Sequence, residues 1–235
     1  MSILRNRSSI ALAALLALAA TACNRIAPAA ESAVLVPPPA VDEPAAGSGA
    51  ETAVLAGGCF WGIQGVFQHV KGVSQAVSGF SGGKNPTGGY EQVSTGKTGN
   101  AETVEITFDP KQISYGQILR VYFSVMDPTT LNYQGPDQGT QYRSAIFTTS
   151  AEQRRIAEAY IDQLTKAHAF PQPIVTQVSA FSAFHKAEDY HQDYLIHHPD
   201  QPYIAYNDLP KVAALKQLYP ALYRETPVMV FPNRS

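Results

Sequence analysis

Cysteine is nearly absent from this 235-residue chain, which has only Cys23 and Cys59. Two cysteines make no disulfide framework. No Cys pair or His-Glu-x-x-His motif marks a metal site, so none is expected. Charge is sparse too: 15% of residues are charged, the formal net charge is −2, and no Lys/Arg run occurs beyond the extreme N-terminus. That excludes the electrostatic footprint of a nucleic-acid-binding protein. Tryptophan occurs once, at Trp61. The Ala/Leu run from Ile10 to Ala20 is too short to span a bilayer comfortably. What is present is a hydrophobic content of 45%, enough at this length for one sizeable core plus appendages.

The run at Ile10–Ala20 follows Arg5 and Arg7, the pattern of a signal-peptide core over residues 1–22. It ends in Ala20-Thr21-Ala22-Cys23, which resembles a bacterial lipoprotein box with Ala20 in place of the usual Leu. The expectation is a lipid on Cys23 and a protein anchored on the periplasmic side of a bacterial cell envelope. The alternative is an ordinary signal peptide cut after Ala22. Residues 23–51 are rich in Ala and Pro, including Pro37-Pro38-Pro39, and read as a flexible tether that buries no core. The folded domain is expected over residues 52–235.

The stretch Gly57-Gly58-Cys59-Phe60-Trp61-Gly62 holds the one cysteine of that domain. Ala53-Val54-Leu55 reads as a buried strand and the two glycines as a tight turn. Phe60, Ile63, Val66 and Phe67 give a helical spacing. Cys59 therefore falls at a strand-to-helix turn, near free N–H groups and the positive end of the helix dipole. That placement is expected to lower its pKa and give a reactive thiolate. A lone cysteine is often only a small buried hydrophobe; the glycines, the helix start and the adjacent aromatics favour the functional reading.

Further elements follow in order. Val73–Phe80 reads as a strand, residues 81–89 as a loop, and Thr103–Asp109 as an alternating strand. Ser114 and Gln117 form a capping box for a helix that stops at Asp127-Pro128. Arg143–Thr148 is a strand, Ser150 and Gln153 a second capping box, and Ile174–Ala180 a further strand. Asp208 and Pro210 open a last helix. This order predicts an α+β two-layer sandwich with a mixed sheet, related to the split βαβ pattern.

Glu102 shares parity with Val104, Ile106 and Phe108, so it can face the core with a raised pKa and act as a general acid. An exposed strand-end Glu fits the periodicity equally well. Tyr90 and Tyr142 stand in glycine-rich surroundings, where their hydroxyls can donate to a polar oxygen or simply pack. The stretch His185–His198 is His-rich, but it reads as a polar helix face.

Five blocks then resemble the A class of peptide methionine sulfoxide reductases. They are Gly58-Cys59-Phe60-Trp61-Gly62, Gly89-Tyr90-Glu91-Gln92-Val93, Thr98-Gly99-Asn100-Ala101-Glu102, residues 137–144 and residues 187–195. The resemblance implies an α/β two-layer sandwich and an oxidoreductase that repairs oxidised methionine. It implies that Cys59 attacks the sulfoxide sulfur, Glu102 protonates the oxygen, and Tyr90 and Tyr142 hold that oxygen. Asp137 would orient the substrate, and Phe60 and Trp61 would receive its methyl group. Cys59 would become a sulfenic acid. Oxidised proteins, peptides and free methionine sulfoxide, all as the S epimer, are the implied substrates. No bound cofactor is expected, only an external thioredoxin-like or small thiol reductant, and the chain is expected to act as a monomer. Family members often carry C-terminal cysteines that resolve the sulfenic acid; Asp200–Ser235 contains none. The rival readings are a Cys–His hydrolase using His69 or His191, and an envelope-tethered binding module without turnover.

Overall fold

The computed structural model describes residues 33–44, 49–83 and 89–232. The signal-peptide and lipidation expectations, Cys23 included, fall on residues outside these. In chain order the elements are β1 (Glu51–Gly57), α1 (Phe60–Gln68), β2 (Val73–Ser81), α2 (Tyr90–Val93), β3 (Ala101–Phe108) and α3 (Tyr115–Val125). A small hairpin follows, β4 (Tyr133–Gln134) with β5 (Asp137–Gln138), then β6 (Ser144–Thr148), α4 (Ala151–Lys166), β7 (Gln177–Ala180) and β8 (Phe184–Lys186). The chain closes with α5 (Tyr194–His197), a π-helical turn over Ile204–Asp208, and α6 (Leu209–Leu218).

The sheet runs β7-β6-β1-β3-β2-β8. Only β6 and β7 are parallel, so it is mixed, as the order of elements predicts. One face carries the main core, where Leu55, Val104, Ile106 and Phe108 meet Ile63, Val66, Ile118 and Tyr122. The other face carries a smaller cluster of Val54, Ala56, Ala101, Ala145 and Phe147 under Phe181 and Phe184. The alternation of β3 thus places Glu102 on the main-core side.

Both expected capping serines cap. At Ser114 the box is complete. At Ser150 only half of it forms: the hydroxyl accepts from Gln153 N, while the Gln153 amide turns to Thr149 and to Thr52 O. Asp208 does not cap α6 with its side chain.

The expected tether is shorter than its composition suggests. Val36 is fully buried in the main core, Arg120 Nε donates to Val36 O at 3.0 Å, and Tyr160 OH donates to Pro37 O at 2.7 Å. Asp42 and Glu43 sit at the N-terminus of α3 and accept from Gly116 N and Tyr115 N. Prolines are no obstacle here, because an extended strap bonds to side chains and not to a sheet ladder. Residues 33–44 are therefore part of the domain.

Candidate active site

The turn between β1 and α1 positions the thiol. Gly58 has φ +88°, and a Cβ there would lie 2.6 Å from Gln134 Cβ, so both conformation and space require glycine. Cys59 follows as the N-cap of α1, 6% exposed, and solvent reaches it through a cavity of about 260 Å³. That cavity brings together the seven residues to which the resemblance assigns a role, Cys59, Phe60, Trp61, Tyr90, Glu102, Asp137 and Tyr142, while His69 and His191 are not among its lining.

Glu102 lies at the start of β3, 3% exposed, and Phe60 N donates to its Oε2 at 3.0 Å. Of the two readings open in the sequence, the buried one holds. Burial pushes its pKa up to about 8, assisted by the charges of Asp137 and Asp208, so the carboxyl is protonated at neutral pH.

The thiol differs from expectation. Burial, then the charges of Asp208, Glu102 and Asp137, push its pKa well up; a backbone hydrogen bond to Trp61 opposes them. Burial outweighs the helix start, and carboxyls crowd that start as well. Glu102 accepts from Phe60 N, and Asp208 Oδ1 lies where a Gly62 Cβ would come within 2.2 Å of it. Burial and the three charges together favour the protonated thiol over the thiolate.

Trp61 forms a rigid wall. Its ring stacks on Tyr194 with centroids 4.0 Å apart and planes at 12°, and its Nε1 donates to His191 Nδ1 at 3.2 Å. Because Nδ1 accepts, the proton of neutral His191 sits on Nε2. Burial lowers the pKa of His191 and keeps it neutral. Phe60 packs between Phe80 and His191. On the polar side Tyr203 OH donates to Asp137 Oδ2. Burial raises the Asp137 pKa, and the Tyr203 bond and the charge of Lys211 oppose it. Desolvation likewise raises Tyr90 and Tyr142, so both hydroxyls keep their protons.

Sequence reasoning missed Gln201 and Tyr203, which also line the cavity, and the ion pair Asp208–Lys211 behind it. The i, i+3 spacing of Asp208 and Lys211 was a readable sign of pairing; Tyr203 carried no periodic signal. The histidines do not act as a hydrolase would need. His191 Nδ1 is taken by Trp61, and His69 stacks on Tyr223 with its Nδ1 at Arg224 O, beyond the far end of α1. Among the described residues no group of three or more His, Cys, Asp or Glu is placed to hold a metal ion.

The family model for peptide methionine sulfoxide reductase matches residues 51–221. "Peptide methionine sulfoxide reductase MsrA 2" of Mesorhizobium japonicum is 62% identical over 191 residues, covering 81% of this chain and 97% of that protein. Its namesake from Synechocystis is 50% identical over 189 residues, covering 79% and 88%. Among solved structures, methionine sulfoxide reductase A of Corynebacterium diphtheriae superposes with TM-score 0.57 at 33% identity, over 66% of this chain and 78% of that one. Reduced Mxr1 of Saccharomyces cerevisiae gives 0.58 at 30% identity, over 68% and 91%. The chain belongs to the A class of the peptide methionine sulfoxide reductases, oxidoreductases that return methionine sulfoxide to methionine in protein repair.

Proposed function

We infer that the site reduces the S epimer of methionine sulfoxide through a Cys59 sulfenic acid. The observation that carries this is one cavity holding a thiol beside a carboxyl that keeps its proton at neutral pH. Sulfoxide sulfur is a poor electrophile until its oxygen is protonated, and Glu102 supplies that proton. The thiol's own proton passes to the Glu102 carboxylate as the Cys59 sulfur attacks, so Glu102 ends the step as it began. The attack joins the Cys59 sulfur to the sulfoxide sulfur; the protonated oxygen then passes to Cys59 as that S–S bond and the substrate S–O bond break, leaving Cys59 as the sulfenic acid. Two electrons pass to the substrate sulfur, and methionine leaves. Tyr90 and Tyr142 hold the oxygen, Phe60 and Trp61 receive the methyl group, and Asp137 with Tyr203 orients the polar part of the substrate. With methyl wall, oxygen donors and nucleophile fixed, only one hand at sulfur fits.

The sequence offers no cysteine besides Cys23 to resolve the sulfenic acid. An external thiol, thioredoxin-like or small, attacks Cys59, and a second thiol resolves the mixed disulfide. The N-terminal pattern supports a lipid on Cys23 and a protein held on the periplasmic side of a bacterial envelope. Among the described residues no helix is long and apolar enough to cross a membrane. Mass spectrometry of the mature N-terminus tests the anchor: an unmodified Cys23 at position one, or cleavage elsewhere, refutes it. Turnover of the two resolved sulfoxide epimers with dithiothreitol tests the reaction. Consumption of the S epimer alone is expected, and equal consumption of both contradicts the arrangement.

A further inference from the structure

Behind the cavity, where the π-helical turn runs into α6, lies a buried ion pair. Lys211 Nζ stands 3.4 Å from Asp208 Oδ1, with side chains 8% and 0% exposed. A buried ion pair is a weak source of stability, because desolvation of both charges offsets their attraction. Its position is more telling. The Asp208 carboxylate rests on Gly62, in the first turn of the helix that begins at the nucleophile, and only a missing side chain lets it approach. It therefore shares the positive end of α1 with Cys59 and Glu102. A π-helical turn delivers it there, a feature frequent at functional sites.

We propose that the Asp208–Lys211 pair sets the charge at the nucleophile's helix and so fixes where the site's proton rests, making both side chains positioning residues for Cys59 and Glu102. The titratable groups within reach of its charges are Cys59 at the start of α1, Glu102 from β3 and Tyr203 before the π turn, which feel Asp208, and Asp137 from β5, which feels Lys211. Three of these are acids or thiols whose neutral forms an uncompensated anion favours. Asp208 raises both Cys59 and Glu102, while Lys211 lowers Asp137. The lysine thus keeps Asp137 from competing with Glu102 for the proton. It also moderates the pull of Asp208 on the thiol. The lysine so limits what Asp208 adds to the cost of ionising the thiol when substrate arrives.

The inference rests on the proposed chemistry but can be tested without it. The rate of Cys59 alkylation by iodoacetamide is followed against pH in the full chain, with the Cys59 peptide read by mass spectrometry. Asp208→Asn is expected to move the thiol titration to lower pH and speed alkylation near neutral pH by about tenfold for each unit moved. Lys211→Met is expected to move it the opposite way by a similar factor, and Lys211→Arg to restore wild-type behaviour. In the first turnover of sulfoxide, the alkaline limb should move with the thiol. Absence of single turnover by the wild type, with the alkylation shifts of the variants intact, would refute the proposed Cys59 chemistry and leave this inference standing. Unchanged alkylation profiles in folded Asp208→Asn and Lys211→Met, or shifts of the same sign, would overturn it. If Lys211→Met does not fold, the isosteric Asp208→Asn decides: no shift to lower pH overturns the inference.

Discussion

Replacing Glu102 with Gln should make the protein more stable at alkaline pH while removing its activity. The carboxyl has its pKa pushed up to about 8 from the usual 4.5 of a glutamate, and burial is the main cause. A carboxyl raised in this way binds its proton more tightly in the folded state. Its contribution is harmless below the unfolded pKa and becomes destabilising as pH rises from there through about 8. Each unit in that window costs about 1.4 kcal/mol, so the full penalty is on the order of 4–5 kcal/mol. Glutamine has the same shape, keeps an oxygen for the Phe60 N–H, and carries no charge at any pH. The assay is denaturant unfolding of wild type and Glu102→Gln from about pH 5 to pH 9, taken as a difference so that titrating groups not coupled to Glu102 cancel. Glu43, whose pKa burial raises to about 7, is common to both and drops out. The variant should gain on the wild type steadily up to about pH 8 and then level off, while its first-turnover rate falls by roughly 10²–10⁴. A stability difference independent of pH would refute the raised pKa. Wild-type turnover in the variant would remove Glu102 from the mechanism.

Other perturbations probe the frame of the site. Gly62→Ala forces a Cβ to within 2.2 Å of Asp208 Oδ1 and should cost about 1–3 kcal/mol in chemical denaturation, despite alanine's better helix propensity. A chain beginning at Glu51 loses buried Val36 and the carboxylates at the start of α3. Compared with one beginning at Asn24, it should lose roughly 2–4 kcal/mol and about 10 °C in thermal midpoint, by calorimetry. Cys59→Ser should fold, as judged by circular dichroism, and should release no methionine, since serine supplies no thiolate.

Much of this fold was legible because local signals agreed with one another. The alternation of β3 puts Val104, Ile106 and Phe108 inward, though for Glu102 it left burial and exposure open, and the Ser114 box caps α3 as its residues require. The glycines before Cys59 make the turn that their number suggests. The charge state of Cys59 was not legible. Its helix start is real, but burial outweighs it, and the carboxyls that add to this come from residues 102 and 208, which a one-dimensional pattern does not bring together. Tyr203 was missed for the same reason: its partner Asp137 is 66 residues away. The strap at 33–44 was misread because its composition resembles a linker, whereas a single buried valine and a few side-chain hydrogen bonds suffice to hold it.

The central claim, that Cys59 itself takes the oxygen, is tested most directly by one turnover without reductant. A chain beginning at Asn24 keeps the strap and lacks Cys23, so no internal disulfide can form. It is given one equivalent of the S epimer in the presence of dimedone, and intact mass and peptide mapping follow. The account predicts one methionine released and one dimedone adduct on Cys59. Methionine released with Cys59 unmodified would mean that the electrons come from elsewhere, and would contradict it.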